Sequence, residues 1–312
     1  MLVFSSSVLF GQTKYDKKLE KADELYEVGD YSKARSEIEK IKKSTTKKIG
    51  GVNEFFPIAK IKEAKYDVAL GILSGIHQSV ADGLEMSKTV NGADSEVHAL
   101  LLKEATEVMN LYGDFNQAEH YLSEAKPILE SAGMDENLAA AMDVLDAQIK
   151  VGRGFYAEAL TLIEGKMDFY ATRAMTDDGS KKVVMRERRR DYARMMMFKG
   201  DAYRRMGDYL NADDAFVAAN LWIVKNLGKA DILYSQNQFL NTLLLEKNGL
   251  GKEAVVDLYE KAYVNTIRKY LPSHYVTIQI RERLIKSYMR NENKAKLNTH
   301  IGEFQKIINE IF

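Results

Sequence analysis

The chain contains no cysteine and only three prolines in 312 residues. Without cysteine neither a disulfide framework nor a thiolate metal site is possible, which excludes zinc-ribbon proteins and enzymes with a cysteine nucleophile. Proline breaks helices, so its scarcity leaves long helical stretches uninterrupted, and no run of residues is typical of a strand. With 29% charged and 46% hydrophobic residues, the composition indicates an all-helical chain stabilised by packing.

An excess of charge of one sign is also missing. Lysine and arginine number 45, as do aspartate and glutamate, so the net formal charge is zero. The chain therefore lacks the basic excess of a nucleic-acid-binding protein, and we expect no nucleic acid as a partner.

The charge is nevertheless unevenly distributed. Residues 51–150 hold 7 basic and 17 acidic residues, whereas residues 151–312 hold 27 basic and 20 acidic residues. This distribution has two interpretations. The charges create an electrostatic field that steers a charged partner, or they are solvated surface charges whose uneven spread is due to chance.

Motifs for catalysis are missing as well. There is no phosphate-binding glycine loop and no serine in a nucleophile elbow. The five histidines are too scattered for a helix-borne metal site; they are His77, His98, His120, His274 and His300. We therefore predict no catalytic residue, no metal, no cofactor and no enzymatic activity.

A short turn pattern recurs along the chain. It reads Gly29-Asp30-Tyr31, Gly113-Asp114-Phe115, Gly154-Phe155-Tyr156, Gly207-Asp208-Tyr209 and Gly249-Leu250-Gly251. Successive turns are 84, 41, 53 and 42 residues apart, and 84 is two periods of 42. Each turn precedes an alanine and then a large apolar residue at helical spacing. The pattern predicts a degenerate unit at about 58–90, a last unit at 277–312, and seven helical hairpins in all.

The unit around the fourth turn carries the fullest pattern. It consists of Gly200, Tyr203, Gly207, Ala212, Phe216 and Ala219. This unit resembles the tetratricopeptide-repeat (TPR) family, and the long repeats are similar to the 42-residue repeats of kinesin light chains. The resemblance covers nearly the whole chain after Lys14, although the family's tryptophan is absent and its proline is mostly missing. It implies a right-handed α-solenoid of about seven antiparallel helix pairs, forming one superhelical domain over residues 13–312.

The first twelve residues differ from the rest. Leu2 to Phe10 is apolar apart from serines and gives way abruptly to the charged residues that follow Lys14. This predicts the remnant of an export signal at residues 1–12, too short to span a bilayer, and a periplasmic or surface location. The alternatives are a first helix that packs on the end of the solenoid, and a cytoplasmic location.

The gap of 53 residues predicts an insertion at about 172–188. It contains the polar turn residues 176–182, which predict a loop, and then the basic run Arg186-Glu187-Arg188-Arg189-Arg190, which begins the next helix. Arg190 and Arg194 lie four residues apart and therefore on one helix face.

The family register implies which residues face the concave groove. These are Arg194, Asp201 and Arg205 in the fifth hairpin, beside Arg190, and Arg283, Lys286 and Arg290 in the last. Arginine offers a planar fork of donors, so the two basic groups predict binding of a partner's carboxylates. The alternative is that these arginines pair with Glu187, Asp191 and Asp201 or remain solvated.

Two polar or apolar clusters allow both structural and binding interpretations. The amides of Asn237 and Asn241, four residues apart, can hydrogen-bond an extended peptide, or they face solvent. Met195, Met196 and Met197 point in three directions on a helix, so at least one is expected in the core and the others half-exposed.

Taken together, these patterns predict a non-catalytic scaffold or adaptor that binds a peptide or partner protein in a concave groove. The alternative is the sensing or docking region of a larger signalling or effector protein that continues beyond Phe312.

Overall fold

The computed structural model describes residues 14–27, 30–50, 53–180, 182–268 and 275–311. Within these ranges the regular structure is α-helical and there is no strand. The helices are α1 Lys14–Glu27, α2 Tyr31–Ile49, α3 Phe55–Ala69, α4 Ile76–Asn91, α5 Glu96–Tyr112, α6 Phe115–Ser131, α7 Glu136–Arg153, α8 Tyr156–Met175, α9 Lys182–Met206, α10 Tyr209–Asn226, α11 Ile232–Lys247, α12 Lys252–Ile267, α13 Tyr275–Arg290 and α14 Lys294–Ile311.

The helices of the described ranges follow one another as seven hairpins, from α1–α2 to α13–α14. The degenerate unit predicted at about 58–90 is the hairpin α3–α4, and the predicted last unit is α13–α14. The prediction of an all-helical fold of about seven helix pairs is confirmed.

The chain divides into two compact units, Met1–Leu145 and Asp146–Phe312. Unit 1 contains α1 to α6 and the first part of α7, and unit 2 contains the last part of α7 and α8 to α14. The division therefore falls inside a helix. The expectation of one domain over residues 13–312 stays a prediction.

The recurring Gly-Asp turn ends one helix and begins the next. Gly113 and Gly207 follow α5 and α9 in the left-handed conformation, with φ of 93° and 86°. Only glycine adopts this conformation without steric cost, so the helix stops there. Asp114 and Asp208 then accept a hydrogen bond from the backbone amide three residues later, which caps the following helix.

Small residues let the paired helices of unit 2 approach closely. Ala212 and Ala219 of α10 are fully buried, as is Phe216 between them. A Cβ atom on Gly200 of α9 would lie 2.7 Å from Cε1 of Phe216, closer than such atoms come. The repeat pattern thus marks a real helix crossing, in which the absent side chain of Gly200 makes room for the phenyl ring.

The gap of 53 residues between two repeats is occupied by a long α8, a connecting segment and a long α9. Helix α8 has 20 residues and α9 has 25, and residues 176–181 separate them. Residues 172–188, which the sequence predicts as an insertion, therefore include the end of α8, this segment and the first two turns of α9. Arg188 of α9 donates to Asp178 at 2.8 Å and so ties the segment to the helix.

The expectation for the three methionines is wrong in part. Met195, Met196 and Met197 are all buried, with exposed fractions of 0, 5 and 4%, rather than one buried and two half-exposed. The reason is that α9 packs against α8, α10 and α11 at once, so three directions around this helix point into the protein.

Across the described ranges, no helix has both the length and the apolar character that crossing a membrane requires. The export signal predicted at residues 1–12 lies outside the described residues.

Candidate functional site

The site residues that the sequence predicts lie on α9, α11 and α13, the first helices of three successive hairpins of unit 2. Ion pairs join these helices side by side. Arg190 of α9 pairs with Asp231 at the start of α11, and Arg290 of α13 pairs with Glu246 of α11. We call the surface of these three helices the first-helix face.

Arg190 is buried and holds the helices together. Its Nε and Nη2 atoms each lie 3.1 Å from Oδ2 of Asp231, which Arg186 also reaches at 2.9 Å. Asp231 accepts as well from the backbone amide of Leu233 and so caps α11. Burial raises the pKa of Asp231, but the two arginines and this amide outweigh it and hold the pKa below its usual value. The position of Arg190 favours the structural alternative for this residue.

Arg194 is more accessible, with 31% of its side chain exposed. It pairs with Glu187 at 2.6 Å and with Asp191 at 3.1 Å, as the structural alternative of the sequence analysis expects. Burial raises the pKa of Glu187, but Arg194 and Arg190 outweigh it and keep the pKa well below its usual value. Glu187 is therefore ionised, and the partly exposed side chain of Arg194 lies beside it.

Asp201 is buried between two arginines. Arg204 approaches it at 2.5 Å and Arg205 at 2.8 Å, so one carboxylate is shared by two guanidinium groups. Arg205 keeps 39% of its side chain exposed, whereas Arg204 keeps 13%. This part of the first-helix face carries one more positive than negative charge.

The two asparagines differ in their surroundings. Asn237 is buried, and its Nδ2 donates to the backbone oxygen of Phe216 at 2.9 Å, which fastens α11 to α10. Asn241 is half-buried. The Oδ1 atoms of both residues are buried and have no hydrogen-bond partner. Each is an acceptor that a donor group can satisfy.

The predicted residues of the last hairpin do not act as one group. Lys286 is exposed and pairs with Glu282 of its own helix. Arg290 pairs across to Glu246, which also accepts from the hydroxyl of Tyr259 at 2.9 Å. Of the predicted residues in this hairpin, Arg290 thus connects α13 to α11, whereas Lys286 pairs within α13.

A second arginine group surrounds the Tyr259–Glu246 pair. Burial and the bond to Glu246 raise the pKa of Tyr259, and the positive charges of Arg283 and Arg204 act against this increase. Arg204 and Arg283 therefore lie near the same pair as Arg290. We call Arg204, Arg283 and Arg290 the arginine group. Among the described residues, Arg283 forms no ion pair.

Arg204, Glu246 and Tyr259 are not among the site residues that the sequence predicts. The family register placed Arg205 in the groove, and the adjacent Arg204 shares Asp201 with Arg205 and also lies near Tyr259. The tyrosine and the glutamate are 13 residues apart on the two helices of one hairpin. Finding them from the sequence would require knowing which residues of the two helices face each other across the hairpin turn.

Comparison with protein-family models and with curated proteins finds no match. Among solved structures, the chain is similar to a Rap protein, which was crystallised in complex with competence and sporulation factor. The TM-score is 0.64 at 11% sequence identity, and the match covers 96% of this chain and 77% of that chain. The fold is a TPR-type helical repeat.

Unit 1 has first helices of a different character. Their charged side chains form a mixed network in which lysines contact carboxylates of neighbouring helices. Its members are Asp23 of α1, Lys62, Lys65 and Tyr66 of α3, and Lys103, Glu104 and Glu107 of α5. Three lysines face three carboxylates, so the network neutralises itself. It ties α1, α3 and α5 together and leaves no excess of charge for a partner.

Metal-binding groups are not assembled in the parts of the chain that the structure describes: no set of three or more histidine, aspartate or glutamate side chains is placed there to hold a metal ion. Several charged side chains of the first-helix face form ion pairs instead; they are Arg190, Arg194, Asp201, Arg205 and Arg290.

Proposed function

We propose that this chain is a non-catalytic protein-interaction scaffold that holds a peptide or an extended segment of a partner protein against the first-helix face of unit 2. The observation that carries the proposal is the arginine group, in which Arg290 pairs with Glu246 and the positive charges of Arg204 and Arg283 act on the same Tyr259–Glu246 pair. A partner's carboxylate can join these arginines without displacing a buried ion pair.

The local charge supports an acidic partner. At the start of α9, four arginines meet three carboxylates; they are Arg173, Arg186, Arg190 and Arg194 against Glu187, Asp191 and Asp231. At the other end, the arginine group and Arg205 form ion pairs with Glu246 and Asp201 alone among the residues that the structure describes. This second group therefore has two more arginines than carboxylates.

The unpaired amide oxygens of Asn237 and Asn241 lie on α11, the helix between these two arginine-rich ends. A peptide backbone carries N–H donors along its length, so an extended segment lying across α11 can satisfy both oxygens. The Rap protein is complexed with a bound factor. That complex supports a binding role for a chain of similar fold.

The experiment is a selection of peptides from a displayed library on the wild-type protein, followed by titration of the selected peptides. We expect acidic peptides to be enriched. Reversing the charge of the unpaired arginine with Arg283→Glu should weaken their binding at least about tenfold.

The matched control is Lys261→Glu, which makes the same charge change at an exposed position of α12, a second helix. Peptide binding to this variant should equal that of the wild type. Failure to enrich any peptide, or equal binding by Arg283→Glu, would overturn the proposal.

A further inference from the structure

Helix α10 carries a row of exposed apolar side chains on the side away from its packed face. The exposed fractions are 75% for Leu210, 45% for Val217, 66% for Leu221 and 37% for Val224. The opposite side of the helix is occupied, since Ala212, Ala215, Phe216, Ala219 and Ile223 are buried. We call the four exposed residues the α10 stripe.

The spacing places these four side chains in one line. At 100° per residue, positions 210, 217, 221 and 224 stay within about 40° of a common direction, and the row is about 21 Å long. Single exposed apolar residues are ordinary on protein surfaces. Asp213 and Asp214 lie between Leu210 and Val217. A row on the order of 300 Å² is comparable with the largest apolar patch of a typical monomer, and such patches are often functional.

Charged residues at the two ends of the helix indicate which partner fits the stripe. Asp214 lies in the first half of α10 and Lys225 at its end, and both are exposed along the same flank of the stripe. When a second α10 packs in the antiparallel direction, each Asp214 lies near the partner's Lys225. A parallel arrangement would place the two charged flanks on opposite sides of the interface, where they cannot pair, so the surface is complementary to an antiparallel copy of itself.

We propose that two copies of this chain associate through the α10 stripe, with the two helices antiparallel about a twofold axis near Val217. Leu210 then packs beside the partner's Val224, and the charged flanks pair twice. The surface lies on a second helix, so this inference goes beyond the first-helix face and leaves that face open. Two such rows bury roughly 600 Å² in total, which is below the size of stable interfaces, so we expect a weak, reversible dimer that forms at high micromolar concentration.

The test measures mass in solution by sedimentation velocity at increasing protein concentration. We expect the wild type to shift from monomer to dimer. Leu221→Asp should weaken this association at least about tenfold, because the twofold axis places the new charge in the interface twice. Met289→Asp is the control, since Met289 of α13 is similarly exposed, at 60%, and should not affect the dimer.

Reversing the charges that flank the α10 stripe tests whether its partner is a second copy of this chain or a different protein. Asp214→Lys and Lys225→Asp should each weaken self-association, because each variant repels itself, and a mixture of the two should associate again. Circular dichroism checks that every variant keeps the helical content of the wild type. If Leu221→Asp loses helical content, Leu210→Asp takes its place in the test.

Two results would overturn the proposal. A wild type that stays monomeric at every concentration contradicts it and leaves the stripe to a different protein. A dimer that persists in Leu221→Asp places the contact elsewhere.

Discussion

At the scale of single residues, the crossing of α9 and α10 depends on the side chain that Gly200 lacks. An added Cβ would meet the ring of Phe216 at 2.7 to 3.0 Å, and this ring is fully buried. Gly200→Ala should therefore lower the free energy of unfolding by roughly 1–3 kcal/mol, although alanine favours helices more than glycine does.

The control is Gly165→Ala. Gly165 lies inside α8, and an added Cβ there would meet nothing within 4 Å. This change should raise the free energy of unfolding by about 0.5–1 kcal/mol. Urea denaturation of both variants measures the difference, and a Gly200→Ala protein as stable as the wild type would show that the crossing is looser than described.

The sequence predicts some residue roles well and others poorly, for a physical reason. The small residues at Gly200, Ala212 and Ala219 are predictable because close packing inside one hairpin repeats with the period of the chain. The burial of Asn237 depends on the backbone oxygen of Phe216 in the preceding hairpin. Such a contact between hairpins leaves no periodic trace in the sequence.

At the scale of elements, Asp231 connects the start of α11 to α9. It caps α11 and receives Arg186 and Arg190; Asp231 and Arg190 are buried, whereas Arg186 is partly exposed. Replacement by asparagine keeps the size of the side chain but leaves Arg190 buried without its counter-charge. We expect Asp231→Asn to lower the free energy of unfolding by on the order of 3 kcal/mol at neutral pH.

The loss should depend on pH in a defined direction. The pKa of Asp231 in the folded protein lies below the ordinary value of 3.8. Its stabilisation is therefore fully present above about pH 4 and is lost as the pH falls through the folded-state pKa. The stability difference between wild type and Asp231→Asn should shrink on acidification below pH 4, and a difference that stays constant would contradict the ion-pair account.

The sequence predicts the number of elements better than their lengths. The polar residues after Thr176 predict the segment between α8 and α9, because they favour turns. The 25 residues of α9 were not expected from repeats of 42, since part of the predicted insertion is helical. Its arginines are compatible with a helix because their ion pairs lie along α9 and across to α8 and α11.

At the scale of the whole molecule, repeated hairpins explain why so much of the fold can be predicted. Each hairpin buries its apolar face mainly against the next one, so a local pattern is sufficient to define the unit. The division into two units inside α7 has no signal in the turn pattern. The candidate site was predicted to the level of its helices, but the partners of its arginines follow from packing between hairpins.

The charged side chains are used differently within each unit. The first helices of unit 1 pair three lysines with three carboxylates, whereas the first-helix face of unit 2 has more arginines than carboxylates. This difference supports the proposal that partner binding occurs on unit 2.

Hydrogen–deuterium exchange of the protein with and without a selected acidic peptide tests this assignment most directly. The first-helix face should become more protected on binding, with slower exchange in segments of α9, α11 and α13. Helices α10 and α12 and unit 1 should exchange as in the free protein. Protection confined to α10 and α12, or to unit 1, would contradict the assignment.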